Sequence, residues 1–370
     1  MRITAVEVYR KDLPLVSPFQ HFASGHVRAL EEVYVRLVTD AGVVGVGEAR
    51  GNSHYLTGDS PDAVTAQILR HLAPALLGRD PRDLSACLDA LGRTIVGVHG
   101  AMSAVDVALH DLVARAYGVP VYVLLGGAVR DDLPSNWSLW YGPPDEAARQ
   151  AAWAVAAGFR SLKVRVGLEP FERDVERVRA VREAVGSEVG LAVDANMAWS
   201  ARQAVRRIER LAPFGLDYVE QPVAYDDLDG LRYVTRHSDV PVMADESVRS
   251  VADVLEIARR RAADLVHLKL GKLGGIAGLR RAAAVAEAAG VGVMVGQTNE
   301  GALATAAAAH CAKAIPAAHL ELYGAEGLAT DPATGFALRS GAAVLREAPG
   351  LGVDLDLAAL APVGVVRADA

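Results

Sequence analysis

Four ionisable residues follow one another at nearly equal intervals in the middle of the chain. Asp194, Glu220, Asp245 and Lys269 are separated by 26, 25 and 24 residues, and each lies at the end of a short aliphatic run. A single acidic residue after a strand often caps the next helix, but three carboxylates that converge repel one another unless a cation lies between them. Hard oxygen ligands suit Mg²⁺. The pattern therefore predicts one Mg²⁺ held by Asp194, Glu220 and Asp245.

Two basic segments flank this acidic row. In "SLKVRVG" the alternation of a strand sends Lys163 and Arg165 to one face, where two buried cations are costly unless something uses them. In "LVHLKLGKLGG" Lys269 points inward together with His267. Lys269 either pairs with Asp245 or, desolvated beside the metal, has a pKa lowered into the range of a base. A substrate carboxylate between these groups would lose its α-proton and form an enediolate that the metal stabilises.

The elements that position these residues are short strands that alternate with helices. Strand-like runs start at residues 135, 161, 189, 216, 240, 265, 291 and 319, at a spacing of 24 to 28 residues. One strand, one helix and two loops per repeat predict a parallel (β/α) barrel, with its functional site at the C-terminal ends of the strands. The constant spacing also predicts that the ionisable residues lie at one level of the barrel.

The chain outside these repeats is expected to form a second unit. Residues 1–125 contain strands, with a turn at residues 40–42, followed by helices, a pattern typical of a separate α+β domain. Residues 126–324 are assigned to the barrel. Residues 325–370 contain no further strand–helix unit, and we expect them to return to the first domain.

Composition and charge exclude several classes of protein. The net charge of −7 and the lack of a basic run argue against nucleic acid as a partner. The apolar stretches are too short and interrupted to span a bilayer, and the first residues lack the pattern of a signal peptide. The two cysteines, Cys87 and Cys311, have no metal-ligand spacing and fit a reducing compartment. We expect a cytoplasmic protein without a membrane partner.

The ordered motifs "DAN", "VEQP", "ADES" and "LKLGKLGG" resemble those of the enolase superfamily. Within it, the chain resembles the muconate lactonizing enzyme-like subgroup of the mandelate racemase/muconate lactonizing enzyme family. The resemblance implies the same three Mg²⁺ ligands and Lys269 as an acid/base group. It also implies that Asn196, Gln221 and Glu246 orient the ligands or the lysine. The expected fold class is α/β, a (β/α)7β TIM-like barrel with an N-terminal α+β capping domain completed by the C-terminal segment.

The resemblance also implies where substrate binds. Two loops of the capping domain, residues 17–28 and 50–60, are expected to cover the barrel mouth and set specificity. The expected partners are a small carboxylate substrate and further copies of the chain in a homo-oligomer. The residues expected to contact substrate come from these loops and from the later strands: Phe19, His21, Tyr55, His267, Gln297, Glu300 and Glu321.

One position departs from the family pattern, in which the strand of Lys163 carries Lys-x-Lys. Here Arg165 replaces the second lysine. Arginine has a pKa above about 12 and is a poor base at neutral pH. The departure therefore favours chemistry with one base, Lys269, over symmetrical chemistry with two lysines.

Three functions are consistent with this pattern. In the leading one, Lys269 is the single acid/base group: it removes the α-proton before β-elimination (a dehydratase), or an alkene carboxylate is protonated in a cycloisomerisation, with Arg165 as an electrostatic clamp. The alternative is a two-base racemase or epimerase of an amino acid derivative or a hydroxyproline-like acid, in which Lys163 or Arg165 completes the pair. The remote alternative is a barrel that binds a ligand without catalysis.

Overall fold

The N-terminal strands form an antiparallel sheet. The computed structural model describes residues 1–21 and 25–368, and the side chains of residues 19–21 are not among those described. Strand β1 (Ile3–His21) pairs with β2 (Gly25–Thr39), which pairs with β3 (Val44–Arg50). The β2–β3 turn lies where the sequence predicts it, and Gly42 takes the left-handed conformation there, with φ of 75°.

Six helices follow this sheet, and the longest packs on β3. They are α1 (His54–Thr57), α2 (Pro61–Gln67), α3 (Ala73–Leu76), α4 (Leu84–Thr94), α5 (His99–Tyr117) and α6 (Val121–Leu124), with a π-helical turn between α2 and α3. Gly45 and Gly47 allow β3 to lie directly against α5. A Cβ atom at either position would overlap the backbone of Ala108 or Ala104. This close packing makes the sheet and α5 one unit.

Eight parallel strands form the second sheet, each paired with its neighbours in sequence. The strands are β4 (Trp137–Leu139), β5 (Ser161–Arg165), β6 (Gly190–Asp194), β7 (Val219–Glu220), β8 (Val242–Ala244), β9 (Leu265–Lys269), β10 (Gly292–Gly296) and β11 (His319–Leu320). The helices are α7 (Pro144–Ala156), α8 (Phe171–Val185), α9 (Ala201–Leu211), α10 (Leu228–His237), α11 (Val251–Arg260), α12 (Leu270–Leu273), α13 (Ile276–Ala288) and α14 (Ala302–Ala314). The sheet curls until the Asn136 amide donates to the Leu320 carbonyl at 2.9 Å. The predicted fold class is confirmed.

Strands β5, β6 and β7 end at one level of the barrel. Arg165 pairs with Asp194 across β5 and β6, and Asp194 pairs with Glu220 across β6 and β7. Side chains at paired positions of neighbouring parallel strands project to the same side of the sheet. The guanidinium and the two carboxylates are therefore neighbours because of the strand register.

The later strands are shifted along the barrel. Glu220 pairs with Met243, which precedes Asp245 by two residues. The pairing of β8 with β9 then puts Asp245 level with His267, so Lys269 lies two residues further along its strand. The expectation of a single level for all four ionisable residues is wrong here. Closing a barrel requires neighbouring strands to be staggered, and equal spacing in sequence does not report that stagger.

The chain returns to the first sheet after β11. It forms β12 (Ala333–Thr334), β13 (Phe336–Arg339), β14 (Ala342–Leu345), β15 (Asp354–Leu355) and β16 (Ala361–Arg367). Strand β16 pairs antiparallel with β1, which gives the first sheet the order β16-β1-β2-β3. The N-terminal sheet is thus completed by a strand that follows the whole barrel. Within the described ranges, no helix is long and apolar enough to cross a membrane.

Buried polar contacts join the first sheet to the barrel. The Arg50 guanidinium donates to the Thr298 carbonyl at 2.7 Å, directly beyond β10. Glu48 accepts from the amide of Ala304 at 2.7 Å, in the first turn of α14. These contacts place the end of β3, and the loop that follows it, over the C-terminal ends of the barrel strands.

Candidate active site

Two carboxylates and an imidazole meet at the ends of β7, β8 and β9. One ligand atom each from Glu220, Asp245 and His267 lie within 4.8 Å of one another. The Nδ1 atom of His267 is 2.8 Å from Oε1 of Glu220 and 3.9 Å from Oδ1 of Asp245. His267 is part of this group because the pairing of β8 with β9 puts it beside Asp245. Asp194, which the sequence assigns to the same metal, is not within this group in the described chain.

Lys163 connects the remaining carboxylates. Its Nζ atom is 2.8 Å from Glu220 Oε2, 2.5 Å from Glu321 Oε2 and 3.9 Å from Asp194 Oδ2. The side chain is buried, which lowers the pKa of the amine, but the charges of these carboxylates raise it well above its usual value. In this arrangement Lys163 is a fixed cation that separates three acids.

Asp245 is held by two lysines. Lys269 Nζ lies 2.6 Å from its Oδ2, while Lys272 donates to its Oδ1, to its backbone carbonyl and, at 2.9 Å, to the carbonyl of His267. Burial raises the pKa of Asp245, and the two lysines lower it well below the usual value. Lys272 is buried and was not selected from the sequence, although it follows Lys269 by three residues in α12.

Lys269 lines the cavity at the strand ends and is 7% exposed. Burial lowers its pKa, but the charges of Asp245, Glu321 and Glu220 raise it by more, so the net shift is upward. Of the two roles expected from the sequence, the ion pair with Asp245 is present, and the pKa is not lowered. A divalent cation at these carboxylates would oppose their effect on the lysine.

Arg165 occupies the opposite side of the cavity. Its Nη1 atom donates to Asn196 Oδ1 at 2.6 Å and lies 3.4 Å from Asp194 Oδ2, and the guanidinium stacks on the Trp140 ring at 4.8 Å. Burial lowers its pKa, whereas Asp194 and other neighbours raise it further above the usual value. Arg165 is therefore a positioned, permanently charged group.

The three residues expected to orient the ligands or the lysine follow strands β6, β7 and β8: they are Asn196, Gln221 and Glu246. Asn196, with φ of 42°, donates through Nδ2 to Glu246 Oε1 at 3.2 Å. Gln221 accepts from the amides of Asp245 and Ser247 at 2.8 and 3.2 Å and thereby holds the turn after β8. Burial and then the charges of Asp245 and Asp194 raise the pKa of Glu246 to about 8. Asn196 and Glu246 line the cavity.

The residues expected to contact substrate are distributed unequally. Tyr55, Gln297 and Glu321 line the cavity. His267 is buried beneath it against Glu220, and Glu300 accepts from the Thr298 amide at 3.1 Å, so both lie outside the cavity lining. The side chains of Phe19 and His21 lie outside the described residues.

Other residues of the lining were not selected from the sequence. Arg50 reaches the cavity from the end of β3, and Tyr323 reaches it from beyond β11. Arg50 begins a loop that the sequence did single out, but nothing in its spacing distinguishes it from a surface arginine. Its burial depends on how the first sheet docks on the barrel.

A barrel with acidic and basic strand ends, covered by an antiparallel sheet from the same chain, defines the enolase class of protein. Residues 3–126 match the family model "Mandelate racemase / muconate lactonizing enzyme, N-terminal domain", and residues 146–359 match "Enolase C-terminal domain-like". The chain belongs to the mandelate racemase/muconate lactonizing enzyme family of the enolase superfamily.

Its relatives are isomerases. The chain is 40% identical to the L-Ala-D/L-Glu epimerase of Bacillus subtilis (strain 168), over 84% of this chain and 85% of that one. It is 35% identical to muconate cycloisomerase 1 of Rhodococcus opacus, over 97% and 98% of the two chains. The structure of dipeptide epimerase from Cytophaga hutchinsonii, complexed with Mg and D-Ala-L-Val, has a TM-score of 0.93 at 30% identity, covering 99% of this chain and 100% of that one. The protein is an enzyme of this family.

Proposed function

We propose that this protein is a Mg²⁺-dependent isomerase or lyase that removes the proton α to a substrate carboxylate, with Lys269 as its single acid/base group. β-Elimination would follow proton removal; in a cycloisomerase, Lys269 would instead protonate the α-carbon of the enediolate that forms when the substrate closes its ring onto an alkene. The observation that carries this proposal is the fixed position of Arg165, which faces the cavity opposite Lys269 and is held by Asn196 and Asp194. A guanidinium at that face can bind an anion but does not exchange protons at neutral pH.

The donor set fits Mg²⁺. Burial and mutual repulsion raise the pKa of Asp194 to about 6 and raise the pKa of Glu220, which means that the surrounding lysines do not fully neutralise the acids. Asp194, Glu220 and Asp245 would hold the ion through oxygen atoms. When bound, the ion supplies a Lewis acid that stabilises negative charge developing on the substrate carboxylate.

His267 is better suited to orient a ligand than to bind Mg²⁺. Burial and then the charge of Lys269 lower its pKa well below the usual value, so the ring is neutral. In the neutral ring, the Nδ1–H group then donates a hydrogen bond to the Glu220 carboxylate. This hydrogen bond fixes the direction of that carboxylate. Imidazole is a ligand for transition metals more than for Mg²⁺.

The other charged residues keep these groups in place. Lys163 holds Glu220 and Glu321, and Lys272 holds Asp245, so neither amine is free to approach a substrate carbon. Among the described residues, Lys269 is the lysine of the cavity lining that has a single ion-pair partner, Asp245. Release of that partner would leave Lys269 able to accept the α-proton and return it at a later step.

A two-base epimerase is the second candidate, because relatives at 40% and 36% identity are L-Ala-D/L-Glu epimerases. Lys163 would then act on the face opposite Lys269. Lys163 lines the cavity, but among the described residues it is held by two carboxylates, Glu220 at 2.8 Å and Glu321 at 2.5 Å, whereas Lys269 is held by one, Asp245 at 2.6 Å. The one-base reaction is therefore placed first.

Deuterium exchange separates these candidates. Purified enzyme with Mg²⁺ in D₂O is offered dipeptides, N-succinyl amino acids and muconate, the substrate types named for its relatives. The one-base proposal expects exchange or product with deuterium on one face only. Deuterium in both epimers of recovered substrate would support the epimerase. No exchange with any acid in the presence of bound Mg²⁺ would contradict both.

A further inference from the structure

Arg50 carries a positive charge from the first sheet into the cavity. It is the last residue of β3, is 4% exposed and contributes to the cavity lining. Its Nε donates to Asn52 Oδ1 at 2.7 Å, and its Nη1 donates to the Thr298 carbonyl at 2.7 Å. Both acceptors are neutral, so the guanidinium is held in position without being neutralised.

The other cations of the cavity lining are all paired. Lys163 contacts Glu220 and Glu321, Lys269 contacts Asp245, and Arg165 contacts Asp194. Among the described residues, no carboxylate lies within the 4.0 Å ion-pair distance of Arg50. Its Nη2 atom also donates no hydrogen bond there. Burying an unpaired cation is costly unless a ligand supplies the missing charge.

Two carboxyl groups whose pKa Arg50 lowers, those of Glu32 and Glu300, do not supply the missing negative charge. Burial and the charge of Glu48 raise the pKa of Glu32 well above its usual value, although Arg50 lowers it. Burial likewise raises the pKa of Glu300, which Arg50 lowers in the same way. Neither carboxyl group lies within ion-pair distance of the guanidinium, so the positive charge of Arg50 remains available to a ligand.

Tyr55 shows that Arg50 shares the cavity with the catalytic groups. Burial raises the pKa of Tyr55, and the charges of Arg50, Lys269 and Arg165 each lower it. The Tyr55 side chain thus lies among three cations that come from the first sheet and from both sides of the barrel. A ligand that reaches Lys269 from the cavity also comes under the influence of Arg50.

We propose that Arg50 binds a second anionic group of the substrate, so that the enzyme acts on carboxylic acids with two anionic ends. One carboxylate is placed at the strand ends, where the α-proton is removed, and the distal carboxylate accepts from the guanidinium under the first sheet. A charge-assisted pair of this kind is strong because Arg50 is shielded from water. The role of the first carboxylate rests on the proposed function. The binding test of Arg50 does not depend on it.

The test measures binding of acids that do not react. Adipate and hexanoate have the same chain length but differ in the distal carboxylate, and their affinities for the Mg²⁺-loaded enzyme are measured by calorimetry. We expect adipate to bind about tenfold or more tightly. Arg50→Gln should remove this preference while leaving the affinity for hexanoate within about twofold, and Arg50→Lys should keep part of it. Asn52→Ala, which leaves the charge in place, should preserve it.

The outcomes distinguish recognition from a structural role. If Arg50 only joins the first sheet to the barrel, Arg50→Gln weakens both acids equally and lowers the melting temperature. Equal affinities in the wild type, or a dicarboxylate preference that survives in Arg50→Gln, would overturn the proposal. Because adipate binding requires no proton transfer, these results do not depend on whether Lys269 is the base.

Discussion

The guanidinium of Arg165 donates to the side-chain oxygen of Asn196 at 2.6 Å, and this contact fixes a cation in the lining of the cavity. Asn196 in turn donates to Glu246, so the position of Arg165 is set by a chain of buried hydrogen bonds. The identity of residue 165 is therefore expected to decide how many faces of the substrate exchange protons.

Replacement of Arg165 by lysine should introduce proton exchange on the second face. A lysine there provides an amine that can lose its proton, whereas the guanidinium cannot. We expect Arg165→Lys to incorporate deuterium into both epimers of a substrate that the wild type labels on one face. Arg165→Met is the matched control, because it removes the cation without adding a base. Two-face labelling by the wild type would show that Arg165 does not limit the reaction.

Loss of the Lys269 amine should abolish α-proton exchange. General acid–base groups contribute about 10²- to 10⁴-fold to rate, and we expect Lys269→Ala to lose at least this much exchange in D₂O. Lys272→Gln is the comparison, since it also removes a cation from Asp245 but lies outside the cavity lining. It should lower the melting temperature and keep measurable exchange. Near-native exchange in Lys269→Ala would assign the base to another residue.

Removal of Mg²⁺ should stop the reaction, and titration of the stripped enzyme should reveal which residues hold the ion. We expect Glu220→Gln to weaken Mg²⁺ binding by more than about tenfold in calorimetry. His267→Asn should have a smaller effect, because the histidine is proposed to orient Glu220. Equal losses in the two variants would make His267 a ligand. Full activity after EDTA treatment would contradict the mechanism.

The pH dependence of stability should reflect the buried carboxyl group of Glu48. Burial and the charge of Asp331 raise its pKa from its ordinary value of about 4.5 to about 8. The folded protein therefore binds more protons than the unfolded chain between these values, and this contribution to stability is lost as the pH rises through about 8. Glu48→Gln keeps an acceptor for the Ala304 amide and removes the ionisation. Its melting temperature should fall less between pH 5 and pH 8.5 than that of the wild type.

A matched surface variant controls for general effects of charge. Glu172 is exposed and pairs with Arg210 on the outside of the barrel. Glu172→Gln should follow the wild-type melting curve at each pH. If Glu48→Gln also follows it, the carboxyl group of Glu48 titrates normally and the assigned direction of its pKa is wrong.

The sequence predicts the strands, the order of the barrel and the residues at its strand ends, because all of these depend on local alternation and repeat length. It does not predict that Asp245 is level with His267, since strand stagger is set by closure of the whole barrel. Nor does it predict that Arg50 is buried without a carboxylate partner among the described residues, which arises only when the first sheet docks beside Thr298. These features depend on contacts between residues far apart in the chain.

The pairing of β16 with β1 has a consequence for biosynthesis. Strand β1 leaves the ribosome before the barrel strands, yet its residues 5–10 are paired on their outer edge by residues 361–367, which follow the complete barrel in the chain. Until then the nascent chain carries an open edge of a long strand, the kind of surface that pairs with other chains. The sheet that carries Arg50 is therefore completed only after all the barrel strands have been synthesised. We expect the newly made protein to depend on chaperones in this interval more than at any other time.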